Sequence, residues 1–421
     1  MSPSASGALS GIRIIDLTQA LSGPFCTSLF ADHGADVIKI EPPRGDMIRR
    51  TGPFAEDDEH KDFGNVFQNA NRNKRSLVLD LKVPEGRQAF LDLVRTADAV
   101  VENFSMGVMD RLGLGYESLA EINPRLVYTS IRGFGDHRGG RSPYAHWPAF
   151  DIVAQAMGGL MSITGPEADI RVRVGSGIGD SVPGLFAAFG TMTALFEAQR
   201  SGRGQYVDTA MVDSVLAVSE VAVNVYDATG RSPQPIGNQL QGFAPFDTVR
   251  AKDGEVALGA PHRPQWTQLC QIMGRPELIE DPRFDTDNKR WTHRGEVYAI
   301  VKEWAARYTV AELKGLLGGK VPLGPILDAK AIFADPHFAA RQMLPTVENP
   351  RTGGTTQITG PVSKLSRTPA TIRRRAPLLG EHSEQVLREA GYGPEKIRAL
   401  QTAGATTIPD PTDHVLQGVT P

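Results

Sequence analysis

A chain of 421 residues, at roughly 150 residues per domain, has room for two or three folding units and a substantial core. Its 40% apolar and 22% charged residues exclude wholesale disorder, collagen and coiled coil, while 44 glycines and 30 prolines without a period point to many turns and close backbone approaches. The net charge of −3 excludes a bulk basic field for nucleic acid or anionic lipid, and leaves room for a local basic site on a small acidic ligand.

Met1 to Gly11 is rich in Ser, Ala and Gly and lacks a basic flank followed by an apolar run, so no signal peptide is expected. Ile12 to Leu17 reads as a strand. Gly23-Pro24 opens a helical segment that Gly34 closes, with proline just inside the start and glycine just past the end. Asp36 to Glu41 reads as a second strand, followed by a long polar connection to residue 75 of the kind that often carries function. Next come Ser76 to Leu81 as a strand, Pro84 to Ala97 as an amphipathic helix, and Asp98 to Phe104 and Leu126 to Phe134 as strands. Such alternation predicts an α/β fold with a mostly parallel sheet and helices on both faces.

Val182 to Gln199 reads as a buried helix and Val207 to Tyr226 as another, with a turn over Arg200 to Gly204. The most apolar stretch, Val182 to Leu195, is broken by Pro183, Gly184 and Gly190 and is too short to span a bilayer. Residues 228–250 carry Gly230, Pro233, Pro235, Gly237 and Pro245 and read as a linker into a smaller α/β unit over 246–325. Residues 326–421 hold an extended stretch from Thr355 to Ser366, the basic run Arg373-Arg374-Arg375 and a helix from Ser383 to Ala390.

Cys26 and Cys270 stand far apart with no CxxC or Cys/His cluster, so neither a metal site nor a disulfide framework is expected, and a reduced, cytoplasmic setting fits. GxxxxGK[ST], HExxH and GxSxG are all absent, which removes several phosphate-binding, metal and serine chemistries. The segment from Gly175 to Pro183 (GSGIGDSVP) offers more. Three glycines in five residues let backbone approach a ligand, and Asp180 follows where a helix begins. There the unpaired N–H groups and the dipole would favour its ionised form, which suits a nucleophile toward an acyl carbon. A plain N-cap role is the structural alternative for Asp180. Asn71 to Arg75 is a second candidate, either an anion site beside a strand or a solvated loop. A third is Glu102-Asn103-Phe104 with Arg111, an aromatic and a cation spaced for a planar ring and a phosphate.

These pieces, in this order, resemble the class III coenzyme A transferases, the family of formyl-CoA transferase and carnitine CoA-transferase. The resemblance runs through Leu9 to Glu41, Asn73 to Lys82, Val101 to Gly113, Asp151 to Gly165, Gly179 to Gly204 and Ala376 to His382 (APLLGEH). It implies a Rossmann-like large domain with a parallel sheet plus a smaller α/β domain, in an interlocked homodimer. The domain limits implied are 1–227 for the first part of the large CoA-binding domain, 228–325 for the linker and small domain, and 326–421 for the return to the large domain. Asp180 would be the nucleophile, passing through a mixed anhydride and an aspartyl-CoA thioester. The coenzyme contacts carry over onto Leu21, Ser22, Leu79, Lys82, Asn103, Phe104, Ser105, Arg111, Phe150 and Asp151. Coenzyme A or acyl-CoA would be substrate, together with a carboxylic acid, with no metal, nucleic acid or membrane partner.

The chain departs from formyl-CoA transferase, which resemblance pairs with glutamine at Leu21, lysine at Pro148 and tyrosine at Phe150. Its active-site glycine loop is also not evident, and these differences point to an acyl group larger or less polar than oxalate or formate. Two alternatives are an α-methylacyl-CoA racemase or epimerase and a catalytically silent CoA-binding subunit. The racemases carry a His-Asp pair where this chain has Phe150-Asp151, and phenylalanine moves no proton.

Overall fold

The computed structural model describes residues 7–409. Residues 1–6, part of the stretch read for a signal peptide, and 410–421, the end of the expected return segment, lie outside it. Six strands, β1 (Arg13–Asp16), β2 (Asp36–Glu41), β3 (Arg75–Val78), β4 (Ala99–Glu102), β5 (Val127–Arg132) and β6 (Tyr206–Ala210), form one sheet in the order β3-β2-β1-β4-β5-β6. Every neighbouring pair is parallel. Parallel neighbours need long crossovers, and the helices supply them.

Because successive strand side chains point to opposite faces, each strand feeds two cores. Ile15, Ile38, Leu77, Val100 and Tyr128 pack under the helices Pro84–Val94, Tyr116–Ile122, Ser383–Glu389 and Pro394–Thr402. Ile14, Val37, Val101 and Val127 pack under Ser22–Asp32 and Ile178–Ser201. These two helices touch closely, since a Cβ at Gly184 would lie 2.6 Å from the Ser22 carbonyl oxygen.

The sheet belongs to a compact unit of residues 7–160, 174–220 and 337–409, and a second unit spans 161–173 and 221–336. In the second, β7 (Phe246–Arg250), β8 (Glu255–Gly259) and β9 (Leu323–Pro325) form an antiparallel sheet. Trp266, Leu269, Phe284, Val297, Val301 and Leu313 fill its core. A short hairpin of β10 (Thr346–Glu348) and β11 (Thr355–Gln357) belongs to the first unit.

Three sequence expectations are corrected. Val207 to Tyr226 is not one helix: Val207–Ala210 lies in strand β6, and the helices Met211–Ala217 and Glu220–Thr229 follow. The alternation of Val207 and Thr209 fits an edge place beside β5, and pairing there overrides helical spacing. The Val182–Gln199 helix exists within Ile178–Ser201 but is buried on one side only, with Leu185, Phe186, Phe189, Met192 and Phe196 exposed. Of the extended stretch Thr355 to Ser366, only Thr355–Gln357 pairs as a strand.

Strands β1 to β3 also carry buried charge. Asp16 pairs with Lys74 at 2.9 Å, Glu41 with Arg49 at 2.7 Å, Lys39 with Asp46 at 3.0 Å and Arg72 with Asp32 at 2.6 Å. Although burial alone would raise them, Lys74 and Lys39 with bonds from Thr18 hold Asp16 down at about 2, and Arg49, Lys39 and Ser76 hold Glu41 at about 2. The folded carboxyls are the stronger acids, so the stability they contribute is complete above the unfolded range near 4.5 and is lost as pH falls toward 2. Equilibrium unfolding followed at stepwise lower pH should therefore show the steepest loss between about 4.5 and 2. Flat stability over that range would contradict the pairing.

Candidate active site

The chain runs outward from β1 to β2 and β3, then returns to β4, β5 and β6. Between β1 and β4 the connections leave in opposite directions and open a crevice at the carboxyl ends, the place where open α/β sheets bind ligands. A cleft of about 250 Å³ lies there. Gln19, Ala20 and Ser22 line it from the loop after β1, Asn103, Phe104 and Ser105 from the loop after β4, and Arg132 and Gly133 from the end of β5. Trp147 and Phe150 add aromatic surface, and Asp180 enters from the first turn of Ile178–Ser201.

The walls are tied by short-range bonds. The Asn103 amide accepts from Gln19 N–H and donates to Gln19 C=O, each at 2.8 Å, which locks the loops after β1 and β4 together. Glu102 accepts the Phe104 N–H at 2.7 Å and pairs with Arg132 at 2.6 Å, while Arg132 donates to the Phe104 carbonyl at 3.3 Å. The remaining Arg132 bonds go to Asp136 and the Tyr206 hydroxyl. Burial pushes the Glu102 carboxyl up to about 7 despite the Arg132 charge and the Phe104 N–H.

Asp180 is the third residue of its helix; Gly177 is the N-cap. The capping alternative is therefore wrong for Asp180, and so is the expectation of free helix-end donors around it. Ile178 N–H donates to Ser176 O, Gly179 N–H to Asp151 Oδ1 at 2.8 Å, and the Asp180 and Ser181 N–H groups both to Gly177 O. Gly179 is required at this junction, because a Cβ there would lie 2.5 Å from the Asp151 carbonyl oxygen. With those donors engaged, burial and then the Asp151 charge raise the Asp180 carboxyl to about 6, the opposite of the shift a helix N-terminus would give. The group is still mostly ionised at pH 7, and its carboxylate accepts no hydrogen bond among the described residues. A charged, half-buried carboxylate without hydrogen-bond partners is a better nucleophile than a solvated one.

Six of the residues singled out from sequence meet in the cleft: Ser22, Asn103, Phe104, Ser105, Phe150 and Asp180. Leu21 lies beside Gly177, and Asp151 braces the helix start. Three stand apart. Leu79 is buried in the core, so a contact from it would use backbone, whereas Lys82 and Arg111 are exposed and outside the cleft lining. Gln19, Arg132 and Trp147 were missed; only the position of Gln19 and Arg132 at strand ends could have flagged them. The Asn71–Arg75 cluster is neither an anion site nor a solvated loop: Arg72 and Asn73 bind Asp32, Lys74 binds Asp16 and Arg75 binds Asp36 and Glu389.

Because Asp151 is the second cause of the raised Asp180 value, Asp151→Asn should move the titration of the Asp180 carboxyl, followed by NMR, to lower pH, with burial keeping the move modest. An unmoved titration would show that the two carboxylates do not interact.

Fold and cleft define a doubly wound α/β protein with a carboxylate site at its switch point. The chain belongs to the CoA-transferase family III, whose family model matches residues 9–383, and it is an enzyme of that family. It is 43% identical to a succinyl-CoA:mesaconate CoA-transferase of Haloarcula hispanica, over 92% of this chain and 97% of that one. A formyl-CoA:oxalate CoA-transferase of Streptomyces coelicolor is 36% identical, over 94% and 98% of the two chains. Among solved structures, a CaiB/BaiF family protein from Brucella suis is similar with a TM-score of 0.79 and 35% identity, over 91% of this chain and 99% of that one.

Proposed function

We propose that the enzyme moves coenzyme A between carboxylic acids through covalent intermediates on Asp180. The observation that carries this reading is the Asp180 carboxylate itself, raised to about 6, facing a cleft at the sheet's switch point and lacking hydrogen-bond partners among the described residues. The carboxylate attacks the donor thioester carbonyl, the C–S bond breaks, and CoA thiolate leaves an acyl-aspartyl anhydride. The thiolate then attacks the aspartyl carbonyl, releasing the donor acid and leaving an aspartyl-CoA thioester. Acceptor carboxylate attacks that thioester to give a second anhydride and thiolate, and thiolate attack on the acceptor's acyl carbon yields the new acyl-CoA and free Asp180.

Asn103, Phe104, Ser105, Ser22 and Phe150 are read as the coenzyme's inner contacts, with Leu21 and Asp151 beside them. Leu79, Lys82 and Arg111 are read as contacts toward its nucleotide end, where exposed cations suit phosphates. Of the described residues, 7–227 and 326–409 would form the CoA-binding domain and 228–325 the small domain, limits from which the compact units differ at 161–173, 221–227 and 326–336, all of which pack with the second unit. The exposed run Leu185, Phe186, Phe189, Met192 and Phe196 supports a second copy covering that helix face, as in an interlocked homodimer. Two buried free cysteines agree with a cytoplasmic setting, and no described helix is long and apolar enough to cross a membrane. With relatives named for mesaconate and oxalate transfer, short carboxylic acids are the acyl groups to screen.

Mixing enzyme with succinyl-CoA and mapping the trapped adduct by peptide mass spectrometry tests the reading. An adduct on Asp180 is expected. Transfer without any adduct, or exchange of the C2 hydrogen of a branched acyl-CoA without acid exchange, would replace it.

A further inference from the structure

The run Arg373-Arg374-Arg375 takes no part in the Asp180 cleft. It lines a separate cleft of about 470 Å³, walled also by β10 and by Glu381 and His382. This cleft lies toward the amino ends of the strands: His382 N–H bonds Ser76 O at the start of β3, and Arg373 reaches Ala31 O, at 2.7 Å, near the end of Ser22–Asp32.

The three arginines differ. Arg375 is neutralised by a two-pronged pair with Glu381 at 2.8 and 2.9 Å. Neither Arg373 nor Arg374 has a carboxylate within ion-pair distance among the described residues, and the Arg374 side chain makes no hydrogen bond there. Like charge at neighbouring positions is costly to leave uncompensated, and after burial it is the Arg374 charge that pulls the Arg373 value down, with the more distant Asp32 offsetting part of it. His382 adds a fixed donor. Its Nδ1 accepts the Ser76 N–H at 3.3 Å, so the ring proton sits on Nε2. Burial and the charges of Arg374, Arg75 and Arg375, against Glu381, hold the ring at about 4 and thus neutral at physiological pH.

We propose that this cleft binds a small organic phosphate, its phosphate held by Arg373, Arg374 and the His382 Nε2–H. Guanidinium groups suit phosphate oxygens through paired N–H bonds. Pro345, Val347 and Ile372 give apolar wall for an organic body that inorganic phosphate would leave uncovered. Glu348, on β10, is the opposing charge in the wall, and it weakens binding.

Calorimetric titration of the full chain at low ionic strength with inorganic phosphate, AMP and coenzyme A is the test. AMP should bind once per chain and at least ten-fold tighter than inorganic phosphate. Arg374→Ala should weaken AMP at least ten-fold, Glu348→Gln should tighten it, and both variants should keep wild-type transfer rates. Two coenzyme A molecules per chain, falling to one in Arg374→Ala, would identify the ligand as the coenzyme's own nucleotide end, and one in both would identify a free organic phosphate. Absence of AMP binding at millimolar concentration overturns the proposal, as does AMP binding indifferent to both substitutions.

Discussion

Asp180→Asn should lower CoA transfer by about 10³-fold or more, because the amide retains shape and loses the nucleophile. It should also abolish the covalent adduct and, in the same protein, raise the stability of the fold. The second effect follows from the sign of the shift. The folded carboxyl titrates at about 6, above its usual 3.8, with burial the first cause and Asp151 the second. Stability from the protonated form is complete below about 3.8 and is lost as pH rises through about 6. At pH 7 the wild type therefore carries the full cost of a poorly solvated charge, and the asparagine variant does not. Discounted for partial solvent access, the gain is about 1–2 kcal/mol. Denaturant melts of both proteins at pH 4 and pH 7 measure it, and the gap should open with pH. The wild-type rate should fall about ten-fold per pH unit below 6. A variant that is inactive and also less stable at pH 7 would show that Asp180 supports the fold rather than the chemistry.

The setting of Asp180 was half legible in the sequence. The glycines and the aspartate announce a close approach at a helix start, and Gly179 is indeed held against Asp151 with no room for a Cβ. The environment is the part the sequence hid. Whether a helix-end carboxylate is stabilised depends on which N–H groups remain free, and here Asp151, on another helix and 28 residues before Gly179, takes the Gly179 donor. Partners so distant in sequence cannot be read from local spacing.

Strands β1, β2, β4 and β5 were legible because each is a short apolar run rich in β-branched residues and bounded by turn signals. Strand β6 was missed because Val207 to Tyr226 mixes strand and helix periods, and only the open edge of β5 decides between them. The Asn71–Arg75 cluster misled for a related reason. Charged residues are rarely buried unless paired, and the pairing acids Asp16, Asp32 and Asp36 come from strands and helices far upstream.

That cluster carries the largest expected loss of stability. Lys74 is wholly buried and donates to Asp16 at 2.9 Å, to Pro24 O at 2.9 Å and to Asn71 Oδ1 at 2.9 Å. Lys74→Met keeps most of the stem's packing and leaves the Asp16 charge with Lys39 as its remaining nearby cation. Removing one partner of a buried pair typically costs about 3–5 kcal/mol. The double variant Asp16→Asn with Lys74→Met should recover part of that, because no unpaired charge is left inside, so the two losses will not add. Chemical melts of the two single variants and the double measure the coupling, and simple additivity would mean the pair is not an interacting unit. The damage should reach the cleft as well. Asp16 holds the Thr18 N–H and hydroxyl at 2.9 and 2.5 Å, and Gln19 and Ala20, the next two residues, line the wall opposite Asn103. With the Asp16 anchor disturbed, the KM for acyl-CoA should rise several-fold while Asp180 still forms its adduct, which separates a loosened wall from a lost nucleophile.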